Sequence, residues 1–282
     1  MTNENICSDN NNENSHVITL ISDMSIDESH LLVSQWSSYS PVHIYSAFYF
    51  AKMSKYIEEK YQKDCVTQQQ QDIITIKNQY VNQNRSCVTS AIFSAVAFLE
   101  ATINELFSEI GELLDGHYAK QLDSDTKSKI ELLWKIDNLI QGKCTLEKFQ
   151  IFLSAAGKEM LDKGSSHYQD VEKLITIRNV LIHYKPQMMV IGSSIESIPT
   201  TKKFNGLNFH QLELENKFPQ NPLFEEYNPY FPDRCLGYGC AQWAANSSVK
   251  FVKKFYNKLG VEPHPALDTY GNIADFPGII CP

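Results

Sequence analysis

The chain has 282 residues, 43% of them hydrophobic and 21% charged, a composition typical of a globular protein that buries a substantial core. Its formal net charge of -8 argues against an extended basic face that wraps DNA or RNA, although a small local nucleic-acid site stays possible. Residues 2–15 are rich in asparagine and offer little to bury. We therefore predict that residues 1–35 form a disordered or extended N-terminal segment, with a short strand or extended stretch at 16–21.

Residues 36–282 are predicted to form a single all-α domain, because apolar residues recur at helical spacing over several long stretches. Ser40 is placed as the N-cap of the first helix with Pro41 at its first position, and Ser166 forms a capping box with Gln169. The predicted helices cover residues 40–62, 72–109, 124–141, 145–162, 166–185 and 241–259.

A proline-rich excursion separates the core helices at 40–186 from the last helix at 241–259. Six of the eleven prolines fall between residues 186 and 233, and short alternating runs such as MMVIG and QLELE lie between them. This pattern predicts a long excursion over 187–235 that folds onto the helical core, with a small β-hairpin as its expected regular element.

The seven cysteines are odd in number and scattered, which favours free thiols in a reducing compartment over a disulfide framework. The N-terminus lacks the basic and apolar regions of a signal peptide, and no apolar run approaches the roughly 18 residues that span a bilayer. We expect a cytoplasmic protein without membrane contact. Cys235 and Cys240 could join His210 or His264 around zinc, but their four-residue spacer is loose, so no metal or other cofactor is expected.

Residues 178–186, RNVLIHYKP, place polar groups in the last two turns of an otherwise apolar helix. On a helical wheel Arg178 projects from an apolar arc that includes Ile182, while Asn179 and His183 stack on its flank. A buried guanidinium stays charged and needs a counter-charge or an anionic ligand. One fixed cation, one amide and one imidazole that titrates near neutral pH would suffice for phosphodiester chemistry.

A candidate counter-charge lies on the helix predicted at 72–109. Glu100 projects near the edge of its apolar arc, with Asn104 one turn on, so a Glu100–Arg178 ion pair is predicted. Such a pair can simply fix the register of two helices, and a histidine near a helix C-terminus often only contacts the helix dipole. A purely structural role for these residues therefore stays open.

The motif resembles that of the HEPN superfamily (higher eukaryote and prokaryote nucleotide-binding), small helical bundles whose signature is an arginine and a histidine separated by a spacer of four to six residues. A polar residue usually follows the arginine. Here Arg178, Asn179 and His183 fill the motif with a spacer of four residues. The stretch AVAFLEATINELF at 95–107 also resembles the long helix that packs against the motif helix in bacterial HEPN-like proteins. The similarity covers residues 40–186 as a bundle pattern.

The resemblance implies a HEPN-like bundle and a metal-independent endoribonuclease of the kind found in toxin–antitoxin and phage-defence systems. Arg178 would stabilise the scissile phosphate, His183 would act as general base or acid at the ribose 2′-hydroxyl, and Asn179 would orient one of them. It also implies RNA as substrate, a homodimer with the motif helices at its two-fold axis, and an antitoxin or other protein partner. Many members of the superfamily are inactive, so a catalytically silent nucleotide- or protein-binding module is the alternative.

Tyr184 and Lys185 are supporting candidates beside Glu100 and Asn104. Toxins of the branch that is paired with a nucleotidyltransferase often carry a tyrosine two residues after the histidine. Here Tyr184 follows the histidine directly and Lys185 takes the second position.

A second basic stretch, KFVKKFYNK at 250–258, places four lysines beside aromatic residues near the end of the last predicted helix. These lysines could guide RNA, but a solvated outer helix face is the simpler interpretation.

Overall fold

The computed structural model describes residues 25–27, 32–34, 37–67, 73–112, 116–136, 139–185 and 213–263. The chain divides into two units, residues 1–38 and 39–282. In the first unit, β1 (Ser25–Asp27) pairs with β2 (Leu32–Ser34) in an antiparallel two-stranded sheet. The strand or extended stretch predicted at 16–21 lies outside the described residues.

The second unit is an all-α bundle, which confirms the predicted fold class. Its helices are α1 (Ser40–Thr67), α2 (Ile73–Glu112), α3 (Ser124–Lys135), α4 (Thr145–Ala155), α5 (Ser166–Ile182) and α6 (Tyr238–Leu259). A short 3₁₀ turn (Ala119–Gln121) precedes α3, and an irregular turn (Tyr230–Arg234), in which Phe231 has an extended backbone, precedes α6.

The central element is α2, which packs against α1, α3, α4, α5 and α6. Aromatic side chains fill the space between α4 and α6. Phe149 contacts Phe251 and Phe255 edge to face, with ring centroids 5.0 and 4.8 Å apart. All three rings are almost fully buried. Because aromatic rings bury large apolar areas and prefer such tilted contacts, this cluster fixes α4 and α6 to each other.

The apolar character of α2 comes from this central position. Its Lys77–Glu112 part is long and apolar enough to cross a membrane by length and composition alone, contrary to the expectation that no stretch approaches that length. Half of its most apolar window is buried inside the protein. The core helix of a helical bundle can meet the same criteria of length and composition.

Acidic side chains of the two longest helices accept hydrogen bonds from the N-terminal residues of other helices. Glu105 of α2 accepts hydrogen bonds from the backbone N–H of Ser40 at 2.8 Å and from the Ser40 hydroxyl at 2.6 Å. Glu58 of α1 accepts one from the backbone N–H of Tyr238 at 2.7 Å. The first N–H groups of a helix lack internal partners, so each carboxylate stabilises a helix N-terminus. The helix begins at Ser40, whose hydroxyl donates to Glu105, so the N-cap predicted at Ser40 is wrong by one residue.

Two predicted helices end earlier than expected. The helix α3 ends at Lys135 instead of 141, and α4 ends at Ala155 instead of 162. Gly157 follows α4 with φ of +65°, a left-handed conformation that breaks the helix. Beyond it, the buried Gln150 side chain binds the backbone of Leu161 through two hydrogen bonds of 2.8 Å.

The boundaries of α5 also differ from the prediction. Its N-cap is Ser165, whose hydroxyl accepts from the Tyr168 backbone N–H at 3.4 Å, so the capping box predicted at Ser166 is wrong by one residue. The helix ends at Ile182, and His183 is its C-cap. In the excursion predicted over 187–235, the described part (213–235) contains no strand, and the remainder lies outside the described residues.

Candidate functional site

An open cleft with a volume of about 380 Å³ lies between α2, the start of α4 and α5. Glu100 of α2 forms part of one wall, and residues 143–146 at the start of α4 form another. The wall formed by α5 includes Arg178 and Asn179. Two of the three predicted motif residues and one supporting residue therefore share one concave surface.

The Glu100 carboxylate is bound by residues of α4. The Lys148 ammonium donates to Glu100 Oε1 and, at 3.0 Å, to Asn104 Oδ1. The Thr145 hydroxyl donates to Glu100 Oε2, and the Asn104 amide donates to Glu100 Oε1 at 3.3 Å. Asn104 thus supports Glu100, as its place one turn further along α2 suggested.

The predicted Glu100–Arg178 ion pair is wrong, because no salt bridge joins these two described residues. Lys148 supplies the counter-charge, and its side chain is only 3% exposed against 37% for Glu100. The ammonium is therefore the more deeply buried partner. A buried charge of this kind needs a close opposite charge, so Lys148 and Glu100 stabilise each other.

The pKa of Glu100 reflects two opposing effects. Burial raises the pKa of its carboxyl, while the hydrogen bonds and charge of Lys148, together with the Thr145 hydroxyl, lower it by more. The net pKa is below the ordinary value, so Glu100 is ionised at neutral pH. The cleft consequently contains a carboxylate whose charge is already neutralised by its own lysine.

Arg178 is half-buried in the wall of the cleft, and its Nε atom is buried without a hydrogen-bond partner. Among the residues that the structure describes, none forms a salt bridge with it. Unsatisfied buried donors are uncommon and costly. The guanidinium therefore has donor capacity that an anionic ligand in the cleft could use.

His183 is exposed at the end of α5 and is not among the residues that line the cleft. Its backbone N–H donates to the Asn179 carbonyl at 2.9 Å and closes the last turn. Ile182 is 51% exposed, so the inward orientation that the helical wheel assigned to it is wrong. Tyr184 and Lys185 are exposed as well. The end of α5 is thus an accessible surface with an imidazole at its centre.

Several residues in or beside the cleft were not predicted as site residues from the sequence. Lys148 was missed, although it lies in the same helical stripe as the buried residues Thr145 and Phe152, a signal that a wheel of residues 145–155 would have given. Lys143 and Glu172 are exposed residues of the cleft walls. Nothing in their local sequence distinguishes them from solvated surface charges.

No group of three or more metal-ligating side chains occurs within the described part of the chain. Cys235 and Cys240 are buried free thiols, whereas His210 and His264 lie outside the described residues. In the basic stretch at the end of α6, Lys258 binds Glu159 at 3.2 Å, while Lys250 and Lys254 are exposed.

The described helices form an all-α bundle with a concave site, in which no described residue forms a salt bridge with Arg178. Comparisons with protein-family models, with curated proteins and with solved structures find no match.

Proposed function

We propose that this protein is a metal-independent endoribonuclease of the HEPN type that cleaves RNA through attack of the ribose 2′-hydroxyl. The observation that carries the proposal is the state of Arg178 in the cleft. Lys148 already neutralises Glu100, and no residue in the described part of the chain forms a salt bridge with Arg178, so its guanidinium is available to a phosphate. Arginine binds phosphate oxygens through paired N–H donors, which suits this role.

In the proposed reaction the 2′-oxygen attacks the phosphorus atom, and the bond from phosphorus to the 5′-oxygen breaks. The products are a 2′,3′-cyclic phosphate and a 5′-hydroxyl end. Arg178 stabilises the negative charge that develops on the phosphoryl oxygens. His183 accepts the proton of the 2′-hydroxyl or donates one to the departing 5′-oxygen, and Asn179 orients the phosphate or the imidazole.

A homodimer would complete this site, since one histidine cannot serve both proton transfers in the same step. The surface around His183 supports such an association. Ile182 and Tyr184 flank it with side chains that are 51% and 38% exposed, and apolar groups of this kind favour burial against a partner. In a two-fold dimer the same patch would meet its own copy and bring two His183 side chains to one cleft.

The second candidate is a catalytically inactive HEPN-like module that binds a nucleotide or a protein. It is favoured by one observation: Arg178 and Asn179 line the cleft, whereas His183 lies outside it. A protein with this arrangement can hold a phosphate group without having a general base beside it. The endoribonuclease proposal also includes three expectations about the setting of the protein. They are a cytoplasmic location, an antitoxin or other protein partner, and a role in toxin–antitoxin or phage-defence systems.

The test is cleavage of total RNA and of a random-sequence single strand in EDTA by the wild type, His183→Ala, Arg178→Ala and Arg178→Lys. His167→Ala is the matched control, because His167 is an exposed histidine at the other end of α5. We expect the first two variants to lose at least a hundredfold in rate and the control to retain full activity. Arg178→Lys should retain only part, because an ammonium cannot bind phosphate in a bidentate manner.

Equal cleavage by the wild type, His183→Ala and Arg178→Ala would refute the mechanism. Absence of cleavage of either RNA by the wild type, combined with binding that depends on Arg178, would support the inactive module instead. The chemistry is checked separately by the 3′ ends of the products, which should be resistant to ligation until the cyclic phosphate is removed.

A further inference from the structure

The two ends of the cleft on α5 differ in chemistry. Arg178 and Asn179 lie at one end, and Glu172 lies two turns earlier. Asn179 is seven residues after Glu172, about 10 Å along α5 and on nearly the same side of the helix, whereas Arg178 is six residues after Glu172 and about 120° round the helix from it. A ligand along this wall would therefore contact a cation and an amide at one end and a carboxylate at the other.

Glu172 is an exposed residue, and no hydrogen bond or salt bridge to its carboxylate occurs within the described residues. The hydroxyl of Thr176, another residue of the cleft, donates to the Glu172 backbone carbonyl at 2.9 Å. That bond uses the backbone of Glu172 and not its carboxylate. Phosphates avoid a carboxylate, so the backbone of an RNA strand would lie toward Arg178 and a neutral part of the nucleotide toward Glu172.

Apolar side chains also line the cleft. Ile175 is half-buried, and Leu146 at the start of α4 is 7% exposed. Both line the cleft, whose volume of about 380 Å³ is within the range of pockets that hold small molecules. Apolar side chains contact the faces of a base, while polar groups at the rim bind its edge.

The edge that fits is set by hydrogen-bond chemistry. An ionised carboxylate only accepts hydrogen bonds, and its two oxygens can accept two neighbouring donors. Guanine presents two adjacent donors, N1–H and N2–H, on its Watson–Crick edge. On the same edge of adenine, cytosine and uracil, the donor position has an acceptor atom next to it. That acceptor would repel one of the two carboxylate oxygens.

We propose that the cleft is a guanine-selective nucleotide subsite, in which Glu172 accepts hydrogen bonds from the guanine edge while Arg178 binds the attached phosphate. The inference rests on the proposed function, because it assigns this guanosine to the position beside the scissile phosphate of the RNA. A good bidentate contact to a base gives roughly tenfold to hundredfold discrimination, which is the preference expected here.

The test is titration of the full-length protein with guanosine, adenosine, cytidine and uridine 3′-monophosphates, with calorimetry as the readout. The variant is Glu172→Gln, which keeps the size of the side chain but introduces N–H donors that oppose those of guanine. Glu226→Gln is the matched control, because Glu226 is an exposed carboxylate away from the cleft walls. Thermal unfolding of both variants checks that the fold is retained.

We expect the wild type and Glu226→Gln to prefer the guanosine nucleotide by at least tenfold. Glu172→Gln should lose that preference while its affinity for the other three nucleotides changes less than twofold. Equal affinity for all four nucleotides in the wild type, or a guanine preference that survives in Glu172→Gln, would overturn the inference.

Mapping of cleavage sites on the random-sequence RNA distinguishes this failure from failure of the proposed function. Cleavage that requires Arg178 and His183 but shows no guanine enrichment would leave the ribonuclease proposal standing and overturn the guanine subsite. Guanine-selective binding without cleavage of any RNA would support the subsite and remove the catalytic proposal. Absence of both nucleotide binding and cleavage would overturn both.

Discussion

The partnership of Glu100 with Lys148 instead of Arg178 predicts a specific pattern of coupling energies. The perturbations are Glu100→Gln, Lys148→Met and the double variant, compared with Glu100→Gln, Arg178→Gln and their double variant. Methionine resembles lysine in length and has no charge, so Lys148→Met removes the ion pair with little change in packing. Each double-mutant cycle isolates the interaction between its two side chains.

The expected magnitude follows from the burial of the pair. Exposed ion pairs contribute about 0 to 1 kcal/mol, while breaking a fully buried pair costs about 3 to 5 kcal/mol. Lys148 is 3% exposed, but Glu100 at 37% keeps part of its solvation. We therefore expect a Glu100–Lys148 coupling of about 2 kcal/mol, between these limits. The Glu100–Arg178 coupling should be below about 0.5 kcal/mol, the usual value for side chains that do not interact directly.

The assay is urea unfolding at pH 7, followed by circular dichroism, with the slope of the transition checked for all variants. The pH dependence provides an independent check. The pKa of Glu100 is lowered in the folded state, so its stabilisation is present above the ordinary value of 4.5 and is lost as the pH falls through the folded value. The difference in unfolding free energy between wild type and Glu100→Gln should therefore shrink below about pH 4.5.

A Glu100–Arg178 coupling equal to or larger than that of Glu100–Lys148 would refute this reasoning. It would mean that Arg178 is the structural counter-ion of Glu100 in solution. Arg178 would then be less available to a phosphate, and the main support for the proposed ribonuclease site would be removed.

Three further predictions concern stability, each measured by urea unfolding. Glu105→Ala should cost about 1 to 2 kcal/mol because it removes the acceptor at the start of α1, whereas an unchanged midpoint would show that water replaces it. Burial raises the pKa of Glu58, so the wild type should lose stability relative to Glu58→Gln as the pH rises above 4.5; parallel pH profiles would contradict this. Phe149→Ala should cost about 3 to 5 kcal/mol, because the ring is fully buried between α4 and α6, and a loss below about 1 kcal/mol would contradict that packing.

The helical elements could be predicted from the sequence because their signals are local. Apolar periodicity located α1, α2, α5 and α6, with ends that differ by a few residues. The ends of α3 and α4 were placed too far along because the residues after them retain helix-forming composition. The left-handed Gly157 and the Gln150–Leu161 hydrogen bonds end α4, and neither is visible in a propensity pattern.

The candidate site was predictable in part. The helical wheel correctly indicated that Glu100 and Arg178 are at least half-buried polar residues on their helices. It failed for Ile182, because a wheel assumes that the helix continues and has a neighbour on each side. The helix α5 ends at this residue, and its side chain is exposed.

The sequence by itself determined on which face of its helix each polar side chain lies, because that face follows from the spacing to neighbouring residues in the 3.6-residue repeat. Only the tertiary structure decided which charge meets which. Lys148 is 48 residues from Glu100 along the chain, and the packing of α4 against α2 brings the two together. An ion pair requires the two charged groups to lie within a few ångström of each other, and the packing of the helices sets that distance. Those distances leave Arg178 facing the cleft without a described counter-ion, which no local pattern reveals.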